Sequence, residues 1–244
     1  MERQVYERMA AIEDRHWWFV ARRRILDEVL SRLVTLPDKP RILEAGCGTG
    51  GNLGLLGRHG RVSAFEPDET ARRLAAAKGE HEILGGSLPD GIPYPARSFD
   101  LVAALDILEH VEDDRGSLHR LYERLRPGGW LMLTVPAFPF LWSRHDELHH
   151  HRRRYRRQEL LDKLQEANFE AAYVTHFNVL LFPLIAAVRL VNGLLGARGS
   201  DDERVPAAPI NALLTALFAG ERHWIGRLSC FFGVSLLVLA RRPG

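Results

Sequence analysis

Two groups of residues have the types and spacing for chemistry. The first is Glu44-Ala-Gly46-Cys47-Gly48-Thr-Gly50-Gly51, set between an apolar strand-like run at Arg41 to Glu44 and a helix opening at Leu53. Glycines at such a point let the backbone turn sharply and let a ligand approach the main chain. Glu66 follows Gly46 by 20 residues, at the end of the next strand-like run, where a carboxylate can accept both hydroxyls of a ribose. Gly46, Gly48 and Gly51 also satisfy the dinucleotide spacing G-x-G-x-x-G, which seats a pyrophosphate on a helix N-terminus, so a nicotinamide dinucleotide stays open on spacing alone. Glu44 argues against it. A carboxylate two residues before the first glycine repels a pyrophosphate and suits a phosphate-free nucleoside bearing an ammonium group.

The second group lies further on. Residues 144 to 157 hold six arginines and four histidines, with Asp146 and Tyr155 among them. Three readings are open. His145, with Asp146 or His151, acts as a base near neutral pH; the histidines and Asp146 hold a metal; or the cluster is structural or docks an anion through its arginines. His110 follows Asp106 by four residues. It either reaches an acceptor molecule or packs as a capping or core histidine. Asp106 itself reads as the N-cap of a helix over Ile107 to Val111, as a ligand contact, or as both.

The elements that must position these residues follow from hydrophobic periodicity. Val5, Met9 and Ile12, then Phe19, Leu26, Leu30 and Leu33, give two helices in the first 35 residues, separated by His-Trp-Trp-Phe at 16 to 19. Strand-like runs at 41–44, 62–65, 82–84, 99–105, 130–135 and 170–176 alternate with helix-like runs at 53–56, 69–78, 117–125 and 159–167; Pro127-Gly128-Gly129 marks a turn. This βαβα order predicts a parallel sheet with helices on both faces. A nearly all-apolar helix at 180–195, an exposed loop at 197–209, an amphipathic run from Ile210 to Phe218 and a last strand near 233–240 complete the chain.

Composition excludes several classes. The chain has 244 residues, 46% hydrophobic and 26% charged, which argues against disorder and repeats. Two cysteines, Cys47 and Cys230, cannot build a disulfide framework or a four-thiolate zinc site. Net charge is +2, too balanced for nucleic-acid binding to be expected. The charged N-terminus lacks an apolar signal region, so the expected location is cytoplasmic. The run from Phe177 to Ala197 is interrupted by Pro183, Arg189 and two asparagines and makes a poor spanning helix.

The motifs together resemble the class I S-adenosylmethionine-dependent methyltransferases. ILEAGCGTG matches the family's first motif, FEPD its acidic second-strand end, SFDLVAALDILEHVED its fourth-strand motif and LRPGGWLMLTVP its fifth, over roughly residues 40 to 176. The resemblance implies a Rossmann-like α/β fold with a seven-stranded mostly parallel sheet whose last strand is antiparallel. It divides the chain into an N-terminal helical cap (1–36), a cofactor-binding core (37–178 with 229–244) and an apolar helical insertion (179–228). It also implies cofactor roles for Glu44 and the loop Gly46, Cys47, Gly48 and Gly50, for Glu66 at the ribose, and for Pro67, Ser87 and Leu88 at the adenine. Asp106 and Ile107 would lie by the methionine or the reacting centre. A bacterial branch of the family carries similar H-D … H-x-R-R-Y and HWWF-VARRR motifs, matched here by His145, Asp146, His151, Arg153, Arg154 and Tyr155 and by residues 16–24, with His150 where glycine is usual. Trp18, His110 and Tyr155 are the expected acceptor contacts and His145, Asp146 and His151 the expected catalytic residues; Trp17 and Trp18 serve as a lid or as an aromatic anchor.

The function expected from this resemblance is methyl transfer from S-adenosylmethionine to a small or lipophilic acceptor, first of all at oxygen. The apolar insertion and the arginines suit an amphiphilic, anionic acceptor, and leave open a peripheral membrane contact or a homodimer. An RNA or protein methyltransferase, and a non-catalytic binding protein of the same fold, are the alternatives.

Overall fold

The computed structural model describes residues 3–195 and 204–244. Part of the loop expected at 197–209 therefore lies outside the described residues. Two helices, α1 (Arg3–Ile12) and α2 (Trp17–Leu33), precede seven strands: β1 (Arg41–Ala45), β2 (Arg61–Glu66), β3 (Glu82–Gly85), β4 (Phe99–Leu105), β5 (Leu125–Pro136), β6 (Glu170–Phe177) and β7 (Ser235–Arg241). The order across the sheet is β3-β2-β1-β4-β5-β7-β6. β7 runs antiparallel to both neighbours, and the other pairings are parallel.

The strands read as apolar runs because both faces of a parallel sheet are covered. Alternate residues serve opposite layers, as the period of two demands. Leu43, Val102, Ala104, Leu131 and Leu133 pack with Leu118 and Leu121 of α5 (Asp114–Arg124) and with Leu160 and Leu164 of α7 (Arg157–Glu166). On the other face Ile42, Leu101, Ala103 and Met132 meet Ile25, Leu26 and Val29 of α2 and the leucines of α3 (Leu53–Gly57). Burying each leucine contributes about 1.5–3 kcal/mol, so α2 is part of the core.

The N-terminal helix α2 and a helix near the C-terminus meet on that second face. α9 (Ala208–Gly220) lies along α2: Trp17 and Phe218 stack edge to face at 6.0 Å, and Asn211 accepts from the Trp17 N–H at 2.9 Å while donating to the Arg15 carbonyl at 2.8 Å. His16 caps α2 by accepting from the Trp18 N–H. The remaining helices are α4 (Glu69–Ala76), α6 (Arg144–Leu148) and α8 (Phe182–Leu195). Leu184, Val188 and Val191 of α8 are exposed. Among the described residues no helix is long and apolar enough to cross a membrane.

Three local expectations change. The helix expected after Asp106 is a single 3-10 turn, Leu108–His110. The turn at 127–129 is a bulge inside β5, where pairing jumps from Phe99 with Leu125 to Leu101 with Trp130 and Gly128 takes φ +77°. α5 begins at Asp114 rather than near Ser117, because Asp113 caps it through the Gly116 N–H.

Candidate active site

The strand order reverses between β1 and β4, and ligands of open α/β sheets bind outside the carboxyl ends of the strands at such a point. The glycine loop leaves β1 there. Gly46 has φ +65°, and a Cβ on it would come within 2.6 Å of the Ile107 side chain. Gly50 has φ +85°, and a Cβ there would press on the Ala75 backbone at 2.9 Å. The loop thus needs glycine at both points, once for Ile107 above it and once for α4 behind it. A Cβ at Gly48 would meet nothing within 4 Å, so this side of the loop is open.

Acidic groups ring the loop. Glu66 is buried and accepts from the Gly48 N–H at 3.0 Å and the Asp68 N–H at 3.1 Å, one on each oxygen. Burial pushes its pKa up. Glu44 is buried as well. Its Oε1 accepts from Asn52 Nδ2 at 2.9 Å, while its Oε2 has no hydrogen-bond partner among the described residues. Burial raises its pKa to about 7, against the hydrogen bond from Asn52 and the charge of Arg22.

Arg22 completes the polar floor. It sits on the apolar face of α2 beside Ala21 and Ile25, yet its guanidinium reaches Asn52 Oδ1 at 3.3 Å, Thr134 Oγ1 at 2.8 Å and Asp106 Oδ2 at 2.7 Å. Thr134 in turn donates to Asp106 Oδ1 at 3.0 Å. Asp106 holds these side chains instead of capping a helix. A chain of polar groups, Glu44–Asn52–Arg22–Asp106–Thr134, therefore joins the ends of β1, β4 and β5 to α2. It offers both signs of charge to a zwitterion. α1 closes the far side: the buried Glu13 accepts from Thr49 Oγ1 at 2.8 Å and pairs with Lys78, and Tyr6 is buried close to Glu66 and Asp68.

Next to Asp106 stands a group of imidazoles. His151 Nδ1 is 2.9 Å from Asp146 Oδ1, which also accepts from Arg154 Nε at 2.8 Å, and Asp146 Oδ2 accepts from the Ser143 N–H at 2.8 Å. Asp146 is fully buried. Although burial opposes ionisation, the hydrogen bonds from His151 and Arg154 hold its carboxyl well below the usual range. The rings of His110 and His151 lie 4.7 Å apart, and those of His145 and His149 lie 4.3 Å apart. Burial and the neighbouring histidines lower the pKa of His110 to about 3; burial, His149 and Arg189 lower that of His145. Both rings stay neutral around pH 7. Glu109 is buried against this group, its pKa raised well above the carboxylate range by burial and by Asp106.

A family model described as "Methyltransferase domain" matches residues 18–174. The chain belongs to this methyltransferase family. A protein of Mycolicibacterium smegmatis named a probable S-adenosylmethionine-dependent methyltransferase is 30% identical over 163 residues, 65% of this chain and 62% of that one. The ubiquinone biosynthesis O-methyltransferase of Salmonella arizonae is 26% identical over 159 residues, 57% of this chain and 66% of its own length. This chain thus spans just under two thirds of these relatives. A solved structure from Bacillus halodurans has the same fold, with a TM-score of 0.62 at 18% identity, covering 90% of this chain and 99% of that one.

The family's cofactor is S-adenosylmethionine, and the residues present fit it. The unpartnered Glu44 Oε2 can accept from an ammonium, the Arg22 guanidinium can pair with a carboxylate, and the two oxygens of Glu66 keep lone pairs for ribose hydroxyls. Of the residues expected from the sequence, this methyltransferase site brings together Glu44, Gly46, Gly48, Gly50, Glu66, Asp106 and Ile107. Pro67 is exposed beside Glu66. Cys47 is buried in the loop, and burial raises its thiol pKa, so it is filler rather than a nucleophile. Ser87 is exposed, its backbone N–H bonded to the Gly91 carbonyl, and Leu88 packs partly buried against the core. Trp18 lies against the Arg22 guanidinium, 5.2 Å from it.

Tyr155 is a correction. It was expected at the acceptor, but it is fully buried, and its hydroxyl donates to Asp114 Oδ2 at 3.0 Å and contacts the Leu108 carbonyl. It braces the turn carrying Glu109 and His110 from behind. Sequence reasoning missed Arg22, Asn52, Thr134, Glu13 and Glu109. Only Arg22 carried a local signal, as a lone cation on an apolar helix stripe.

Proposed function

We propose that the protein is an S-adenosylmethionine-dependent methyltransferase acting on an oxygen of a small, lipophilic acceptor. The observation that carries this reading is the adjacency, through the turn from Asp106 to His110, of a polar floor matched to a zwitterionic nucleoside and a cluster of imidazoles. When bound, S-adenosylmethionine supplies the methyl carbon, which the acceptor oxygen takes as the carbon–sulfur bond breaks and sulfur keeps the electron pair.

Glu44 and Arg22 hold the amino-acid end in this reading, and Glu66 the ribose. Holding two reactants in line can supply much of the rate, since effective molarities reach about 10⁵–10⁸ M. His145, neutral but weakened as a base by burial, His149 and Arg189, accepts the hydroxyl proton, so positioning carries the larger share of the rate. Asp146 is a positioning residue that fixes His151. Trp18 and His110 border the acceptor, and the exposed apolar face of α8 suits a lipophilic one. The O-methyltransferase name of one relative favours oxygen.

Calorimetry with S-adenosylmethionine and its demethylated product tests the cofactor half, and transfer of labelled methyl groups to hydroxylated lipophilic compounds tests the rest. Binding to both, with label recovered in a base-stable ether, is the expected outcome. No binding of either overturns the reading.

A further inference from the structure

We propose that Glu109, His110 and His151 form a binding site for a divalent transition-metal ion of the zinc class, beside the acceptor position. The inference rests on the methyl-transfer reading for its role but not for its existence. One ligand atom from each of the three residues lies within 4.8 Å of the other two. The ligands of a tetrahedral ion at about 2.0–2.2 Å stand roughly 3.3 Å apart, so entry of an ion draws these atoms in by less than about 1.5 Å.

Three independent features support a site built for a cation. Glu109 is buried, 1% exposed, and its Oε2 has no hydrogen-bond partner among the described residues. A buried acceptor left without a donor is destabilising, and a metal would satisfy it. His151 uses Nδ1 on Asp146 Oδ1 at 2.9 Å, so its Nε2 faces Glu109 Oε1, 4.0 Å away. The His110 ring stands edge-on to that of His151, centroids 4.7 Å apart, which brings a nitrogen of each into the same small space. Ligating histidines characteristically bond a carboxylate or a backbone carbonyl through their second nitrogen, and His151 does so here through Asp146. Asp146 is itself pinned by Arg154 and the Ser143 N–H.

Two imidazoles and one carboxylate leave at least one position of the ion open. There the acceptor's hydroxyl would bind and lose its proton more readily, with His145 receiving it. The ion thereby selects acceptors with an acidic or chelating hydroxyl. The cations around the group are engaged elsewhere: Arg22 pairs with Asp106, Arg154 with Asp146, and Arg152, whose Nε donates to the His110 carbonyl at 3.2 Å, pairs with Glu112.

The test is a cobalt(II) titration of chelator-treated protein, followed by visible absorption. One equivalent should bind and give the intense bands of a four- or five-coordinate ion. Glu109→Gln, His110→Ala and His151→Ala should each weaken binding at least tenfold, Asp146→Asn by about 10–100-fold, and His119→Ala, on exposed α5 surface, not at all. Circular dichroism checks that each variant folds. X-ray absorption of the zinc-loaded wild type requires no variant and should show two imidazoles and one carboxylate. The absence of a stoichiometric site, or a site that survives all three ligand variants, overturns the proposal. Calorimetry of S-adenosylmethionine on metal-free protein reads the cofactor site separately, so the two readings fail independently.

Discussion

Arg22 Nη2 and Asp106 Oδ2 stand 2.7 Å apart, in an ion pair between a residue of α2 and the residue that follows β4. The Arg22 side chain is 4% exposed and that of Asp106 25%. The pair ties α2 to the switch point of the sheet, so the polar floor of the crevice is complete only when α2 is docked.

Removing one partner of a buried pair costs about 3–5 kcal/mol. Arg22→Ala is expected to lower thermal stability and to weaken S-adenosylmethionine binding at least tenfold, whereas Arg22→Lys keeps the charge but loses the fork and should fall between. Calorimetry alongside thermal unfolding separates the two effects. A destabilised variant with unchanged affinity would confine Arg22 to a structural role.

Glu66→Ala should weaken S-adenosylmethionine and its product alike. Hydrogen bonds to a charged group are worth about 1.5–3 kcal/mol, or roughly 10–100-fold in Kd. Glu66→Gln keeps one acceptor and should lose less. Equal affinities across wild type and both variants would remove Glu66 from the ribose.

Glu44 sets a pH dependence. Burial raises its pKa from the ordinary 4.5 to about 7. The groups facing it are Asn52 and Arg22, which favour its ionised form, and Glu13 and Glu66, which oppose it. The free protein therefore holds a proton on Glu44 that the unfolded chain would lose near pH 4.5, so its contribution to stability is present below that value and is lost as pH rises through about 7. An ammonium requires the ionised form. Cofactor affinity should rise from pH 6 to pH 8, with a proton released on binding at pH 6 that calorimetry in buffers of different ionisation enthalpy detects. Glu44→Gln should abolish the proton release; its persistence would assign the proton elsewhere.

Glu13 clasps α1 over the glycine loop through Thr49 and Lys78. Glu13→Ala should free that helix and speed release of the demethylated product in stopped-flow displacement, with methyl transfer to a bound acceptor little changed. An unaltered release rate would mean that α1 does not gate the crevice.

Tyr155→Phe removes the hydroxyl bonded to Asp114 and should cost about 0.5–1.5 kcal/mol, a fall of a few degrees in Tm for a chain this size. The KM for any acceptor should not move, because the ring is sealed behind the Glu109 turn. A changed KM with an unchanged Tm would return Tyr155 to the acceptor site.

The sheet and the cofactor loop were legible in the sequence because their signals are local. Strand periodicity, glycine at positions of positive φ and a carboxylate closing each of two successive strands all lie within a few residues of the feature they mark. β1, β2, β4 and β6 accordingly match their expected runs to within one residue at each end. The turn at 127–129 and the helix after Asp106 went differently because a neighbouring chain decided them. β4 holds Leu125 and Trp130 in one ladder across the bulge, and Thr134 and Arg22 draw off the Asp106 carboxylate that would have capped a helix.

By itself, the sequence determined the succession of strands along the chain, the place of the glycine loop and the family. Tertiary structure alone decided which charges face one another: Arg22 meets Asp106 across 84 positions, and Glu109 meets His151 across 42. Such pairs obey no periodicity. They form because burying a charged or polar side chain is affordable only beside a partner, and which partner lies beside it depends on how the layers pack.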